Sequence, residues 1–121
     1  VKFCRAGHLP LITANNGKIE AIKSEGIGLG LERGEVFERT LKEEEITIKP
    51  NQIFAFFSDG ITEAMNEKNE MFGDEKLTEL IKGSSEYPSV KLMQNIWDAV
   101  KSFRGTAPPN DDMTMVIVKM M

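Results

Sequence analysis

Cysteine occurs once in this 121-residue sequence, as Cys4, and histidine once, as His8. A single cysteine excludes an intramolecular disulfide and any cysteine-rich zinc site. A single histidine excludes a metal centre built from several imidazoles. Positive charge is also short: 15 Lys and Arg stand against 19 Asp and Glu, for a net charge of −4, so no basic stripe is available to neutralise phosphates and a nucleic-acid partner is not expected. No apolar run approaches the length of a membrane-spanning helix, and no stretch reads as a signal peptide. A reducing, cytoplasmic setting fits these absences. What remains is ordinary for a folded chain: 40% hydrophobic and 28% charged residues are enough for one modest domain with one core.

The chain is organised around Asn51-Gln-Ile-Phe-Ala-Phe-Phe-Ser-Asp-Gly-Ile-Thr-Glu-Ala-Met65. Lys49-Pro50-Asn51 is a turn, and the apolar run 53–57 that follows is short and rich in aromatics, as a buried strand should be. The run stops at Ser58-Asp59-Gly60. A strand end fixes the position of a carboxylate, and a glycine beside it lets the backbone turn and leaves room. Asp-Gly is equally a turn dipeptide, and Asp59 could cap a short helix over 62–65.

Before this stretch, residues 1–5 alternate as a strand with Val1 and Phe3 inward, and 9–14 form a second extended run. Asn15-Asn16-Gly17 predicts a hairpin, with 18–23 returning antiparallel. Gly26-Ile-Gly-Leu-Gly-Leu31 invites a phosphate-loop reading, but Leu31 stands where the dinucleotide fingerprint needs its third glycine. A packed glycine-rich loop crossing the core is the better account. Residues 35–41 read as a strand, 42–45 as a solvated charged turn, and 46–48 as a short strand.

After it, 66–70 is a polar loop whose spacing fails the calcium-loop pattern. Gly73-Asp74 opens a helix over 75–82, stopped by Gly83. A longer helix spans 89–103, where Leu92, Met93, Ile96, Trp97, Val100 and Phe103 recur on one core-facing stripe. The segment 113–119 is almost continuously apolar and predicts a central strand covered on both faces, with Asp111 and Asp112 at its entrance. Strands dominate the first half and helices the second. The fold class is therefore α+β, with helices packed on one face of an antiparallel sheet. The strand beginning at Ile53 and the final strand are expected to be adjacent inner strands, with the 89–103 helix across one face. The sequence opens without methionine and inside a strand, so it is read as a piece of a longer protein.

If those two strands are antiparallel neighbours, Asp59 converges with Asp111 and Asp112. Converging carboxylates need a counter-charge, and Mg²⁺ or Mn²⁺ supplies one through oxygen ligands and retained waters. Such an ion could activate water for attack on phosphorus. The other reading of the spacing is two independent turn or cap aspartates.

Ala6-Gly7-His8-Leu9-Pro10, Gly28-Leu29-Gly30-Leu31, Ser58-Asp59-Gly60-Ile61-Thr62-Glu63-Ala64, Met71-Phe72-Gly73 and Asp111-Asp112-Met113-Thr114 occur in this order. Together they resemble the SpoIIE-type bacterial serine/threonine phosphatases of the metal-dependent protein phosphatase (PPM) superfamily. The resemblance implies an α-β-β-α sandwich with two Mn²⁺ or Mg²⁺ ions between its sheets and a metal-bound water attacking a protein phosphoserine or phosphothreonine. It makes Asp59 one metal ligand and Asp111 another, with Asp112 as the alternate to Asp111. Gly60 is given close backbone packing beside the metal, and His8 and Glu63 match motifs without a catalytic role. The family's earlier acidic motifs, including the aspartate that bridges both ions, would lie upstream of Ala6. The chain is thus expected to be the carboxy-terminal portion of a catalytic domain, inactive alone, whose parent hydrolyses phosphoserine on a STAS-like anti-anti-sigma factor under an upstream sensor or regulatory domain. Self-association of the isolated chain is expected as well. The competing function is a non-catalytic interaction module derived from such a domain.

Overall fold

A computed structural model of the chain describes residues 1–84 and 86–121. Two antiparallel sheets carry the strands. The larger is built from β2 (Leu11–Asn15), β3 (Lys18–Ile22), β5 (Ile53–Phe57) and β6 (Met115–Lys119) in the order β3-β2-β5-β6. The smaller pairs β1 (Lys2–Cys4) with β4 (Glu43–Glu45). The helices are α1 (Glu35–Thr40), α2 (Asp59–Thr62), α3 (Gly73–Lys82) and α4 (Ser89–Arg104).

The hairpin joining β2 to β3 forms where Asn-Gly was read: Asn16 at φ 48° and Gly17 at φ 74° take the left-handed turn that bulky residues avoid. Register then decides the faces. Ile12 pairs Ala55, which pairs Ile117, and Phe57 pairs Met115. These residues point to one side, where α4 lies along β6 and α3 along α4 and β3. Leu77, Ile81, Leu92, Ile96 and Val100 of the helices close a core with Ile53, Ala55 and Phe57. Each is at most 5% exposed, so truncating one of the leucines, isoleucines or Phe57 to alanine would leave a cavity costing about 2–5 kcal/mol. On the other side, the small sheet stands over β2 and β3 across a cleft of about 380 Å³, with Thr13, Glu20 and Ile22 facing Glu44, Glu45 and Thr47. The result is a helix layer, a four-stranded sheet and part of a second sheet, as the α+β sandwich expectation requires.

Several local expectations change. Residues 35–40 are a helix, not a strand: Gly34 at φ 68° enters it, Arg39 pairs Glu35 one turn back at 2.9 Å, and Thr40 bonds the Val36 carbonyl at 3.0 Å. Glu43–Glu45 is a strand, not a turn. Its charges suit an edge, and Glu43 pairs Lys2 across the ladder at 2.8 Å. The short strand expected at 46–48 does not form, although Ile46 exchanges both backbone bonds with Val1 at 2.8 Å. Val1 is exposed rather than inward. β5 and β6 are adjacent and antiparallel as expected, but β6 is the edge of its sheet and not a doubly covered inner strand. Val116 and Val118 are 52% and 43% exposed on the face away from the helices. On α4, Leu92, Ile96 and Val100 are buried, while Met93 and Trp97 of the same stripe are 41% and 39% exposed. Leu29 and Leu31 of the glycine-rich loop are 79% and 76% exposed, so that loop does not cross the core.

Candidate active site

The β5–β6 ladder runs past its formal ends. The Ser58 N–H donates to the Thr114 carbonyl at 3.0 Å, and the Thr114 N–H donates back to Ser58 Oγ at 3.0 Å. Ser58 Oγ also donates to the Asp112 carbonyl at 3.1 Å. One residue further, Gly60 is pressed against the incoming chain. A Cβ there would stand 2.9 Å from the Asp112 carbonyl carbon, nearer still to its oxygen, and 3.5 Å from the Asp111 carbonyl carbon. Only a residue without a side chain lets these two backbones approach so closely. The chain just after Asp59 thus meets the backbone of Asp111 and Asp112, as the predicted adjacency of the two strands requires.

Gly60, Ile61 and Thr62 are buried, but Asp59, Asp111 and Asp112 are exposed. Asp59 opens the four-residue α2; the short helix forms at Asp59–Thr62 rather than over 62–65. Among the described residues the Asp59 carboxylate takes no hydrogen bond and no cationic partner, so the capping role open to it from sequence is not what it does. The Asp111 carboxylate accepts the Asp112 N–H at 2.7 Å, and Asn110 Nδ2 donates to the Glu63 carbonyl at 3.1 Å. Asp112 is held through its main chain, and among the described residues its carboxylate takes no hydrogen bond.

The sequence matches the family model for Stage II sporulation protein E (SpoIIE) across residues 1–121. This chain belongs to the SpoIIE family. No curated protein matches it by sequence. Its fold is similar to the SiaA-PP2C domain of Pseudomonas aeruginosa, at TM-score 0.82 and 15% identity over 99% of this chain and 46% of that one. It is similar to the phosphatase domain of SpoIIE from Bacillus subtilis, at TM-score 0.70 and 18% identity over 98% and 50%. A Mycobacterium tuberculosis structure of RsbU and RsbW domains shares the fold at TM-score 0.67 and 16% identity over 98% and 32%. The chain spans about half the length of the first two. The fold is shared with the phosphatase domains among these structures.

The donor set of this SpoIIE-family chain suits a hard divalent ion in kind, since Asp59, Asp111 and Asp112 offer carboxylate oxygens only. It is short in number. Among the described residues no three His, Cys, Asp or Glu side chains group as a cage. Asp59 and Asp111, or Asp112, would hold one side of an ion, with water or further protein completing the shell.

Sequence reading gave His8 no role, yet the fold brings it to Asp59. Gly7, His8, Leu9, Ser58 and Asp59 line one pocket of about 200 Å³. The signal was present in the Ala6-Gly7-His8 motif, but only the fold shows what that motif faces. Glu63, by contrast, is exposed and joins the site through its main chain: its N–H donates to the Asp59 carbonyl at 2.8 Å and its carbonyl accepts from Asn110.

Proposed function

We propose that this chain is the carboxy-terminal portion of a metal-dependent protein serine/threonine phosphatase domain. It would act in bacterial signalling, in the cytoplasm, on phosphoserine or phosphothreonine. The observation that supports the reading is the contact of Gly60 with the Asp112 backbone, where the chain leaving β5 meets the chain entering β6. Asp59 and Asp111 are the proposed metal ligands, with Asp112 the alternate and Gly60 the residue that permits their approach. Mn²⁺ or Mg²⁺ is the proposed ion, two in a complete domain; the similar B. subtilis phosphatase domain was studied after Mn presoaking. When bound, the ion polarises water and offsets charge on the phosphoryl group. The chain itself contributes the carboxylates, the rigid strand ends beneath them and the adjoining pocket.

The proposed substrate is a regulatory phosphoprotein such as a STAS-like anti-anti-sigma factor, with an upstream sensor or regulatory domain as the intramolecular partner. The RsbU and RsbW pairing in the M. tuberculosis neighbour supports a signalling context. No helix among the described residues is long and apolar enough to cross a membrane. Phosphate release from a phosphoserine protein tests the reading. A chain carrying the complete domain should release it with Mn²⁺ or Mg²⁺ and stop on chelation, while the 121-residue chain should not. Asp59→Asn in the complete domain should cost more than the roughly 100-fold that losing even an outer partner of a metal costs. Near-normal turnover in that variant would remove Asp59 from the metal. Wild-type inactivity on every phosphoserine protein tried would favour a non-catalytic interaction module.

A further inference from the structure

The regular β5–β6 ladder ends at the pair Phe57 and Met115. The next residues to face each other are Ser58 and Thr114, and their bonding is irregular. The Ser58 N–H donates to the Thr114 carbonyl at 3.0 Å, as an antiparallel ladder requires. In a regular pair the Thr114 N–H would return to the Ser58 carbonyl. It goes instead to Ser58 Oγ, at 3.0 Å. The Ser58 carbonyl is thereby released, and it accepts the Ile61 N–H at 3.3 Å at the start of α2. The hydroxyl keeps its own hydrogen to give, and donates it to the Asp112 carbonyl at 3.1 Å. One side chain thus lets the chain turn from strand to helix at Asp59 and binds the main chain on both sides of Met113.

A second side chain acts from the other end of the Asp111–Asp112 pair. Asn110 Nδ2 donates to the Glu63 carbonyl at 3.1 Å, and the Glu63 N–H donates to the Asp59 carbonyl at 2.8 Å. The residue before Asp111 is therefore tied to the turn that Asp59 opens. Asp111 and Asp112 lie between these two staples. The Asp111 carboxylate accepts the Asp112 N–H at 2.7 Å, so its direction follows the main chain that the staples hold. Asp59, Asp111 and Asp112 are all exposed, which leaves hydrogen bonds to the backbone, rather than core packing, to place them.

We infer that Ser58 and Asn110 are positioning residues of the proposed metal site, stapling the Asp111–Asp112 segment to the strand-to-helix turn that carries Asp59. The inference rests on the phosphatase reading above. Neither residue is a ligand. Each acts through the main chain of the residues that are, and it is this backbone that sets where their carboxylates can meet an ion. Partners that orient metal ligands in this way are worth about 10–100-fold in metal affinity.

The test is Mn²⁺ binding by a chain carrying the complete domain, measured by calorimetry well below the unfolding temperature. Ser58→Ala removes the hydroxyl and should weaken binding by about 10–100-fold. Ser58→Thr keeps a hydroxyl with the same donor and acceptors, and should bind within about threefold of wild type. Asn110→Ala removes the second staple at an exposed position and should weaken binding by about 10-fold. A purely structural role would lower the unfolding temperature of the metal-free domain and leave the affinity where it was. Unchanged affinity in Asn110→Ala would therefore overturn the inference for Asn110. Unchanged affinity in Ser58→Ala, or equal losses in Ser58→Ala and Ser58→Thr, would overturn it for Ser58. Should Ser58→Ala fail to fold, Asn110→Ala decides the matter by itself. Failure of the phosphatase reading shows separately, as a wild-type domain that binds Mn²⁺ with these sensitivities and releases no phosphate from a phosphoserine protein. A wild-type domain that binds no Mn²⁺ would overturn both.

Discussion

The two faces of the four-stranded sheet carry the same strands and end in opposite conditions. On the helix side, Ile53, Ala55 and Phe57 of β5 are sealed by α3 and α4 at 5% exposure or less. On the other side, Phe54 is 5% exposed, but its neighbour Phe56 is 39% exposed, and the cross-strand partners Val118 and Val116 are 43% and 52% exposed. Strand residues alternate, so every second side chain of an apolar strand must go somewhere. One face of this sheet is closed by segments close in sequence; the other is closed only where the small β1–β4 sheet overlies β2 and β3. A sheet of this composition has two core faces, and half of one is open. The chain's span of about half its structural relatives fits that picture.

The largest effect expected from this difference is on the closed face. Ile96→Ala, at a site 1% exposed, should lower unfolding free energy by about 2–5 kcal/mol, read from urea or thermal unfolding. Val118→Thr on the open face should stay within roughly 0.5 kcal/mol. Comparable losses at the two sites would mean that the open face is covered in solution.

Next comes the seam where the two strands end. Gly60→Ala forces the Asp112 carbonyl aside, and overpacking of this kind costs about 1–3 kcal/mol. In a complete domain the same change should weaken Mn²⁺ binding measured by calorimetry, because Asp59 and Asp111 are moved apart. Unchanged affinity would uncouple that contact from the carboxylates.

How far the sequence foretold this comparison depends on where the deciding contacts lie. β5, the Asn16-Gly17 hairpin and the periodic helices α3 and α4 were legible because each carries its own pattern and its partners are near. The meeting of the chain after Asp59 with the chain at Asp111 and Asp112 was legible once β5 and β6 were taken as neighbours. α1 was not: Val36, Phe37 and Leu41 look like a half-buried strand, and only Gly34 and the Glu35–Arg39 pair favour the helix. Glu43–Glu45 reads as a charged turn because an edge strand hides its pairing with Lys2–Cys4 in residues forty positions away. β6 looks central because it is apolar on both faces, and composition alone does not say whether the segments that would cover it are present. His8 was visible but mute, since its pocket is made by a segment fifty residues on.

Open apolar surface on an edge strand is also a template for association. The 121-residue chain should therefore form dimers or larger species at high concentration by light scattering. Replacing both Val116 and Val118 with Thr should shift it toward monomer with little change in stability. A clean monomer for the unaltered chain would show that the open face tolerates water. This effect is smaller than the core truncation and appears only as mass.

The smallest effect belongs to a polar latch on the closed side. The Thr106 N–H donates to Glu67 Oε1 at 2.9 Å, Thr106 Oγ1 donates to the same oxygen, and Gly105, at φ 60°, turns the chain off α4 to bring Thr106 there. Those two donors hold the Glu67 carboxyl below the ordinary glutamate range. A depressed folded pKa means that the charged form is bound more tightly in the native state. The stabilisation is therefore complete above the unfolded pKa, near 4.5, and is lost as pH falls through the lower folded value. Glu67 is solvent-exposed, so the effect should be small. Glu67→Gln keeps an acceptor oxygen but never ionises. Its unfolding midpoint should lie slightly below wild type at pH 7, and the gap should close as the pH is lowered past the folded pKa. A gap that stayed constant with pH would show that the carboxylate charge contributes nothing and that the latch is held by hydrogen bonds indifferent to it.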